Sequence, residues 1–301
     1  MSYSEDTLKS WSAPISDTED QRAQNTIHMI KTALSAHVEL QKLDYEVFLQ
    51  GSYANNTNVR QNSDVDVCVM LKSTFHTEYA DGYTDKDYGF TSSSLTYQDY
   101  KRYVVEALTR KFGASVVTVS NKCINIGDNT YHVNADVVPA FQYRNYKAMN
   151  SRDPNRFVEG IWFYAEDGTA IYNYPKQHIQ NGKEKNNQTN HQYKQLVRMM
   201  KHIRNDMVKA GKADGNSITS FLIECLVWNV PNSYITGYYS WNETIKQAIR
   251  YLYTKIDNDQ HKEWGEVSEL LYLFHPGRKW TADKVKSFLA DMYTYLGYVR
   301  G

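Results

Sequence analysis

The sequence predicts an α+β fold, in which a region of mixed strands and helices is followed by a mostly helical region. In the first region, short runs rich in β-branched and aromatic residues are separated by turn residues, a pattern typical of strands. After Pro175, apolar residues instead recur at helical spacing. The helices predicted there are Gln192–Lys209, Ser217–Trp228, Trp241–Ile256 and Thr281–Leu296. We therefore predict one domain over residues 1–180 and a helical domain over residues 181–301, with the N-terminal helix packing on either.

The first region contains predicted strands, helices and one long loop. A capping box over Ser16–Glu19 begins the first helix, and Tyr97–Lys111 forms the second. The predicted strands are Glu46–Gln50, Val65–Leu71, Ser115–Val119, Cys123–Ile126, His132–Val138, Gly160–Tyr164 and Ala170–Tyr172. Residues 73–96, which are rich in Ser, Thr, Tyr, Asp and Gly, predict a long surface loop. Residues 180–190, which have no apolar anchor, predict a second loop after this region.

The composition is that of an ordinary globular protein. Hydrophobic residues make up 41% of the 301 residues, and 34 basic residues balance 34 acidic ones. This balance argues against a protein that coats nucleic acid and leaves room for a local basic groove. No apolar run is long enough to span a membrane, and the polar N-terminus lacks a signal-peptide pattern. Cys68, Cys123 and Cys225 lie far apart, so we expect buried thiols of a cytoplasmic protein, without disulfides or a zinc site.

Aspartates on two predicted strands are the strongest chemical signal. Alternate residues of a strand share a face, so Asp64 and Asp66 project together while Val65 points to the core. Asp136 lies between apolar neighbours in its strand in the same way. Adjacent carboxylates repel unless a cation neutralises them, and their oxygens suit Mg²⁺ or Mn²⁺. We therefore predict that these three carboxylates hold two divalent ions.

A Gly51-Ser52 turn precedes the first acidic strand. Glycine lets backbone N–H groups approach a ligand closely, and serine adds a hydroxyl, so the turn predicts a phosphate cradle. The alternative is that Asp64 caps a turn and Asp66 is a charge on an edge strand, as is common for an isolated Asp-x-Asp. The turn upstream and Asp136 downstream favour the metal and phosphate site.

The stretches "GSYANNTNVRQNSDVDV" and "NADVVPAF" resemble the nucleotidyltransferase superfamily of the DNA polymerase β type. Within it, the sequence is similar to the CD-NTases, the cGAS/DncV-like nucleotidyltransferases that make cyclic oligonucleotide second messengers in bacterial anti-phage signalling, and most similar to the CdnE clade. The resemblance continues through "YKQLVRMMKHIRNDM" and "ITSFLIECLVWNVP" and covers roughly residues 47–231. It implies a polymerase β-like core with a mixed twisted sheet, joined to the helical half in a bilobed molecule whose active site lies in the cleft.

The resemblance implies a role for each residue of the two motifs. Asp64 and Asp66 would bind the metal ions and the triphosphate, and Asp136 would complete the second metal site and help to deprotonate the attacking hydroxyl. Gly51 and Ser52 would hold the β- and γ-phosphates. A ribose hydroxyl of one nucleotide would attack the α-phosphate of the other, pyrophosphate would leave, and a second round would close the ring.

Four further residues enter the nucleotide-binding set through the resemblance. Gln50 ends the strand before the turn. Lys201 matches a lysine that contacts the triphosphate, and Ser220 matches a serine that touches phosphate. Phe221 stands where relatives often carry a tyrosine that stacks on the donor base. Phenylalanine keeps the stacking face and lacks the hydroxyl, and without the resemblance Phe221 would be assigned to the core.

Three polar residues can each be interpreted in two ways. An amide offers a donor and an acceptor to a base edge, and in CdnE-like relatives an asparagine near Asn173 favours uracil in the acceptor pocket. Capping of the following turn is an equal alternative for Asn173. Lys194 and Arg198 lie on nearly the same helix face as Lys201, and we expect a solvated basic face there.

The sequence therefore predicts a cyclic dinucleotide synthase that uses two Mg²⁺ ions, with Mn²⁺ as an alternative. Its expected substrates are ATP and UTP or another nucleoside triphosphate. We expect a monomer that needs neither a membrane nor a nucleic acid and that acts on an effector protein through its product. Two alternatives stay open: transfer of a nucleotide to a small molecule, an RNA end or a protein, and a catalytically silent nucleotide-binding module. A silent module would be expected to have lost a metal carboxylate, and all three are present.

Overall fold

The fold is that of a computed structural model, which describes residues 3–14, 16–59, 64–128 and 133–298. The chain divides into two compact units. The first, which we call the sheet unit, consists of residues 16–53 and 61–176. The second, which we call the helical unit, consists of residues 1–15, 54–60 and 177–301. Each unit is built from separate stretches of chain, whereas the two domains predicted from the sequence are continuous.

The described part of the sheet unit contains one mixed sheet. Its strands are β1 (Tyr45–Leu49), β2 (Val65–Glu78), β3 (Val117–Val119), β4 (Ile124–Ile126), β5 (Ala135–Asn145), β6 (Val158–Tyr164) and β7 (Ala170–Asn173). Five strands follow the order β1-β2-β5-β4-β3, while β6 pairs with the later part of β5 and β7 pairs with β6. Strands β2 and β5 are parallel, and the other pairs are antiparallel. The start of the predicted strand His132–Val138 lies outside the described residues.

Helices alternate with these strands and then follow them. They are α1 (Glu5–Trp11), α2 (Asp17–Ser35), α3 (Gly51–Ala54), α4 (Tyr97–Phe112), α5 (Pro175–Gln188), α6 (Gln192–Lys209), α7 (Ser220–Trp228), α8 (Asn232–Thr236), α9 (Trp241–Asp257) and α10 (Ala282–Tyr295). The predicted α+β fold, with a mixed sheet and a helical C-terminal region, is confirmed. None of the helices in the described ranges is long and apolar enough to cross a membrane.

Strand β2 is the central strand that carries the first aspartates. Its middle residues, such as Val69 and Met70, are completely buried because α2 and α4 pack on the sheet. Tyr100 of α4 is also fully buried, and its hydroxyl donates to the carbonyl of Val69 at 2.9 Å. This packing fixes the strand whose first residues reach the site.

The predicted loop over residues 73–96 is wrong in its first part, because β2 continues to Glu78. An irregularity follows Leu71, and pairing with β5 resumes at Phe75. The remainder is held by aromatic packing: Tyr88 is buried, and its hydroxyl donates to the carbonyl of Ser151 at 2.6 Å. The polar composition of this segment did not indicate that its aromatic side chains are buried.

The predicted loop over residues 180–190 is also wrong, because α5 continues to Gln188. Pro175 occupies the first position of this helix, where its missing N–H costs little. Polar side chains anchor the helix by reaching backbone carbonyls: Asn181 Nδ2 donates to Val267 O and Lys185 Nζ donates to Val230 O, each at 2.8 Å. The anchors are therefore polar residues, which an apolar pattern does not reveal.

Helix α6 is the central element of the helical unit. Its apolar residues are fully buried; they are Tyr193, Leu196, Val197, Met199, Met200, Ile203 and Met207. The solvated face predicted for Arg198 is wrong, because Arg198 is buried and its guanidinium donates to the backbone carbonyls of Ser12 and Asn56. Lys194 is half-buried. The basic face of α6 is thus largely an internal surface.

Candidate active site

The three predicted carboxylates lie at or just before the start of two parallel strands. Asp66 of β2 is the register partner of Asp136 of β5, and both are half-buried. Asp64 directly precedes β2 and is exposed. Their neighbours Val65 and Val137 are completely buried, as expected for side chains that alternate between two faces. The parallel register, which the sequence did not reveal, places the second and third aspartates side by side.

Gly51 lies directly against Asp66. Its φ is +65°, and a Cβ at this position would lie 2.0 Å from Asp66 Oδ2. The preceding residue, Gln50, donates its backbone N–H to the carbonyl of Asp66 at 2.9 Å. Only glycine fits this contact, because any side chain would collide with the carboxylate and favour another backbone conformation. Ser52 follows in the short helix α3 and is half-buried.

Asp136 is oriented by residues that sequence reasoning did not assign to the site. Asn125 of β4 is its register partner and donates from Nδ2 to Asp136 Oδ1 at 2.5 Å. The hydroxyl of Ser120 donates to Oδ1 of the same asparagine. The polar Asn125 between two buried isoleucines was the signal that could have found this chain of hydrogen bonds.

The electrostatics of Asp136 are set by burial and by its neighbours. Burial raises the pKa of the Asp136 carboxyl, the hydrogen bond from Asn125 opposes this, and the negative charge of Asp64 raises the pKa further. Cys123, which was expected to be a buried thiol, is half-buried and lies beside this carboxylate. Burial and the charge of Asp136 raise the pKa of the Cys123 thiol to about 12. The sulfur therefore stays protonated at neutral pH and donates a hydrogen bond that favours ionised Asp136.

The predicted residues of the helical unit lie around α6 and α7. Lys201 is 2% exposed, and its Nζ lies 2.7 Å from Glu224 Oε2 of α7. Ser220 is the first residue of α7, where free N–H groups and the helix dipole favour an anion. Phe221 follows it and is 37% exposed, which is unusual for a large apolar side chain.

Other aromatic and basic side chains surround Phe221. The rings of His178 and Trp280 lie 5.8 Å and 6.2 Å from its ring centroid. The guanidinium of Arg278 lies 5.5 Å from the same centroid and pairs with Glu266. An exposed aromatic ring held in this way offers a face for stacking.

Comparison with known proteins decides the family. Residues 30–116 match the nucleotidyltransferase domain, and residues 180–297 match the cGAS/DncV-like nucleotidyltransferase C-terminal helical domain. The cyclic dipyrimidine nucleotide synthase CdnE of Cecembia lonarensis is 44% identical over 98% of this chain and 99% of the relative. The enzyme of the same name from Legionella pneumophila is 39% identical over 97% of each chain.

The chain belongs to the CD-NTase family. The structure of Rhodothermus marinus CdnE c-UMP-AMP synthase with Apcpp and Upnpp matches this CD-NTase with a TM-score of 0.86 and 33% identity, over 99% of this chain and 98% of that chain. The chain is therefore a nucleotidyltransferase of the kind that synthesises cyclic dinucleotides in bacterial signalling. The resemblance seen in the sequence is confirmed, and so is the nucleotidyltransferase core.

The donor set of this CD-NTase suits a divalent cation. In the described ranges, no three acidic, histidine or cysteine side chains are gathered at ligating distance of one point. Nevertheless, Asp66 and Asp136 are register neighbours, and Asp64 is near enough for its charge to raise the pKa of Asp136. Hard carboxylate oxygens that repel one another are the chemistry that Mg²⁺ stabilises. The residues present thus fit the metal that nucleotidyltransferases generally use.

Asn173 lies in another part of the sheet unit. It is the last residue of β7, is half-buried and is the register partner of Ile161 in β6. Its carbonyl oxygen would lie 2.8 Å from a Cβ at Gly160, so the two strands are in close contact here. The structure thus places Asn173 on a different strand pair from the three aspartates.

Proposed function

We propose that this CD-NTase joins two nucleoside triphosphates into a cyclic dinucleotide that contains pyrimidine, with release of one pyrophosphate in each of two steps. The observation that carries the proposal is the contact of Gly51 with Asp66, next to Asp136 in register. A turn suited to phosphate thereby lies directly beside carboxylates suited to Mg²⁺.

In this proposal, the residues of the sheet unit bind either the metal ions or the phosphates. Asp64, Asp66 and Asp136 would hold two Mg²⁺ ions, which Mn²⁺ could replace. Bound there, the ions would offset the triphosphate charge and make the attacking hydroxyl more acidic. Gly51 and Ser52 bind the β- and γ-phosphates through backbone and hydroxyl donors, and Gln50 lies beside them in the nucleotide-binding set.

Asp136 takes part in the proton transfer in this proposal. It accepts the proton of the attacking ribose hydroxyl, as the resemblance implies. Asn125 and Cys123 hold the carboxylate in place while it does so. The same assignment serves both rounds of transfer.

In the helical unit, Phe221 stacks on the donor base, and Ser220 contacts a phosphate. The exposure of the Phe221 ring and the first-turn position of Ser220 support these roles. Lys201 also contributes to nucleotide binding, although its ammonium group is buried. The three residues lie on two helices that pack together, α6 and α7.

A pyrimidine product is supported by the relatives and by Asn173. Two relatives at 44% and 39% identity are cyclic dipyrimidine nucleotide synthases. Relatives at 37% and 36% identity are a cyclic GMP-AMP synthase and a cyclic dipurine nucleotide synthase, so the support comes from the two relatives of higher identity. The amide of Asn173 would read the acceptor base, as implied by the resemblance to CdnE. Asn173→Ala is then expected to reduce the preference for UTP over ATP without a matching loss of total turnover.

One incubation tests the proposal. The protein is incubated with the four ribonucleoside triphosphates and Mg²⁺, treated with phosphatase, and the resistant product is identified by mass spectrometry. We expect a cyclic dinucleotide with at least one pyrimidine. A phosphatase-sensitive linear product would contradict cyclisation, and a purely purine ring would contradict the base assignment.

The proposal also includes the oligomeric state of the enzyme and the target of its product. We propose that the enzyme is a monomer and that its product activates a separate effector protein in anti-phage defence. Light scattering after size-exclusion chromatography tests the first point. Effector activation by the purified product, in the absence of the enzyme, tests the second.

A further inference from the structure

The stretch of chain between α9 and α10, residues 258–281, lies beside Phe221 in the helical unit. We call it the α9–α10 connection. Hydrogen bonds hold its shape: Trp280 Nε1 donates to the carbonyl of Leu273 at 2.9 Å, and the N–H of Leu273 donates to the carbonyl of Trp264 at 2.7 Å. Trp264 and Trp280 are both buried. The connection is therefore a well-packed structure next to the Phe221 ring.

The ring of Phe221 is not covered by its two aromatic neighbours. His178 and Trp280 meet its plane at 38° and 37°, so neither ring lies flat against it. The exposure of Phe221 agrees with this arrangement. A flat aromatic ligand therefore finds an uncovered area of the ring on which to stack.

His178 is held in place by a buried carboxylate. Its Nε2 lies 3.0 Å from Oε1 of Glu224. Burial opposes the charge of Glu224, but Lys201 and His178 outweigh burial and hold the pKa of this carboxyl well below its usual range. The carboxylate stays ionised, so its hydrogen bond fixes the imidazole beside Phe221.

Arg278 lies at the rim of the Phe221 ring. The central carbon of its guanidinium is 5.5 Å from the centroid of Phe221 and 5.4 Å from that of Trp280. A base stacked on Phe221 would have its centre about 4.5–7 Å from the same centroid. The edge of such a base therefore comes within hydrogen-bonding reach of the guanidinium, whose side chain is 22% exposed.

Glu266 orients one side of this guanidinium. Arg278 Nη2 donates to Oε1 of Glu266, whose side chain is buried. Burial raises the pKa of the Glu266 carboxyl, and the charge of Arg278 opposes the rise. His275 Nε2 lies 3.6 Å from the same oxygen. Because Arg278 is already oriented by this partner, it would bind a ligand with less loss of conformational entropy.

Other donors of Arg278 have no partner in the protein. A guanidinium has five N–H donors and no acceptor. Within residues 3–14, 16–59, 64–128 and 133–298, Nη1 makes no hydrogen bond, and Nε is enclosed without a partner. Unpaired donors on a charged group are costly, so an acceptor that approaches Arg278 would be stabilised.

We propose that Arg278 donates a hydrogen bond to a carbonyl oxygen of the base that stacks on Phe221, and that this contact favours uracil over adenine there. Uracil carries two carbonyl oxygens, whereas adenine offers only ring nitrogens as acceptors beside an amino donor. The inference rests on the proposed function, because it requires a base on Phe221. Arg278 is then a specificity-determining residue.

Two substitutions of Arg278 test the contact. Binding of the α,β-imido analogues of UTP and ATP is measured by calorimetry with Mg²⁺, and the ratio of the two affinities is the readout. Arg278→Met should weaken the UTP analogue about 10-fold and the ATP analogue less than about threefold. Arg278→Lys keeps a cation for Glu266 but lacks the planar fork, so the ratio should fall while the melting temperature stays near that of the wild type.

The matched control is Arg102→Met in α4. The guanidinium of Arg102 also lies over an aromatic ring, 4.8 Å from the centroid of Tyr103, and it also pairs with a carboxylate, that of Asp99. This substitution should leave both affinities unchanged. A ratio that falls equally in the control, or that stays unchanged in either Arg278 variant, would overturn the inference. Equal weakening of both analogues in Arg278→Met would instead place the guanidinium on ribose or phosphate and would also overturn it.

A double-mutant cycle locates the base that Arg278 contacts. In a Phe221→Ala background, no ring holds the base beside the guanidinium, so Arg278→Met should no longer change the ratio. A change as large as in the wild-type background would mean that Arg278 acts on a base bound elsewhere, and it would refute the proposal.

These readouts separate the inference from the proposed function. A wild-type protein that makes no cyclic product contradicts the proposed function, while the binding ratio still decides whether Arg278 contacts the base. Thermal unfolding of every variant is measured in parallel. A fallen ratio in a variant that stays folded supports the contact, and an unchanged ratio with lowered thermal stability shows a merely structural role and overturns it.

Discussion

Two groups of charged residues, one in each unit, are built in opposite ways. In the sheet unit, Asp64, Asp66 and Asp136 bring like charges together at exposed or half-buried positions. In the helical unit, Lys201 and Glu224 pair opposite charges in a fully enclosed position. Like charges that repel one another are stabilised when a cation binds, whereas the charges of Lys201 and Glu224 already neutralise each other. The difference fits our proposal that the first group binds metal ions, and it indicates that the second group stabilises the fold.

The largest effect is expected when the like-charged group is broken. Asp66→Asn removes a proposed metal ligand, and turnover should fall on the order of 10³-fold or more. The melting temperature should stay the same or rise slightly, since a repulsion is removed. Initial rates and a thermal melt check both statements. An active variant would show that Asp66 does not bind the metal.

The second effect concerns stability. Glu224→Gln leaves the buried Lys201 without its countercharge, and the free energy of unfolding should fall by about 3–5 kcal/mol. Glu166→Gln is the control, because Glu166 pairs with Lys101 at a more exposed position, where such pairs contribute about 0–1 kcal/mol. Urea unfolding measures both values. Equal losses in the two variants would contradict the contrast between the groups.

The third prediction concerns the glycine at the carboxylate. Gly51→Ala forces a Cβ against Asp66 at a positive φ, and kcat/KM should fall about 100-fold. Gly168→Ala provides a matched control, because Gly168 also has a positive φ of +81° but a Cβ there meets nothing within 4 Å. The control shows the cost of the backbone conformation alone. Similar losses of activity would mean that contact with Asp66 is unimportant.

The fourth prediction concerns the orientation of Asp136. Asn125→Ala removes the hydrogen bond to its carboxylate, and we expect a loss of about 10-fold in turnover with a higher Mg²⁺ requirement. Rates measured over a range of Mg²⁺ concentrations check this result. Asn121→Ala, which removes two exposed hydrogen bonds with Asp167, should leave the Mg²⁺ dependence unchanged.

The smallest expected effect is a change in the stability of the fold with pH. Because the folded-state pKa of Glu224 is lowered, its stabilising contribution is present above the unfolded-state value of about 4.3 and disappears as the pH falls through the folded-state value. The stability difference between wild type and Glu224→Gln should therefore shrink as the pH drops below about 4. A difference that stays constant from pH 7 to pH 3 would contradict the ionised state of Glu224.

The sequence predicted the candidate site best where the alternation of side chains along a strand was sufficient information. Asp64 and Asp66 were predicted to act together because alternate strand residues share a face, and Asp136 was added because it lies between apolar neighbours in another strand. The parallel register of β2 and β5 depends on long-range pairing, and no local pattern reveals it. For the same reason, the contact of Gly51 with Asp66 could not be predicted from the sequence.

Most of the structural features that were not predicted from the sequence involve buried polar residues. Glu224 stands within the apolar run "SFLIECLVW", and a lone carboxylate in such a run is itself a sign of a buried partner. Arg198 was expected in solvent because charge normally indicates exposure, whereas backbone carbonyls satisfy it inside the protein. Polar anchors also explain why residues 180–190 were predicted to be a loop. Such partners come from distant segments, so local patterns do not show them.

The segment Asn55–Asn58, which lies ahead of β2 and belongs to the helical unit, has a consequence for the order of folding. It leaves the ribosome early, yet its partners Arg198, Lys201 and Glu224 follow about 140 to 170 residues later. During synthesis, the residues of strand β2 are therefore made long before the segment just ahead of them has its partners. Domains commonly fold as they emerge. The segment ahead of β2 instead gains its last partner only when α7 has been made. We therefore expect a chain truncated before α7 to carry the three aspartates without activity.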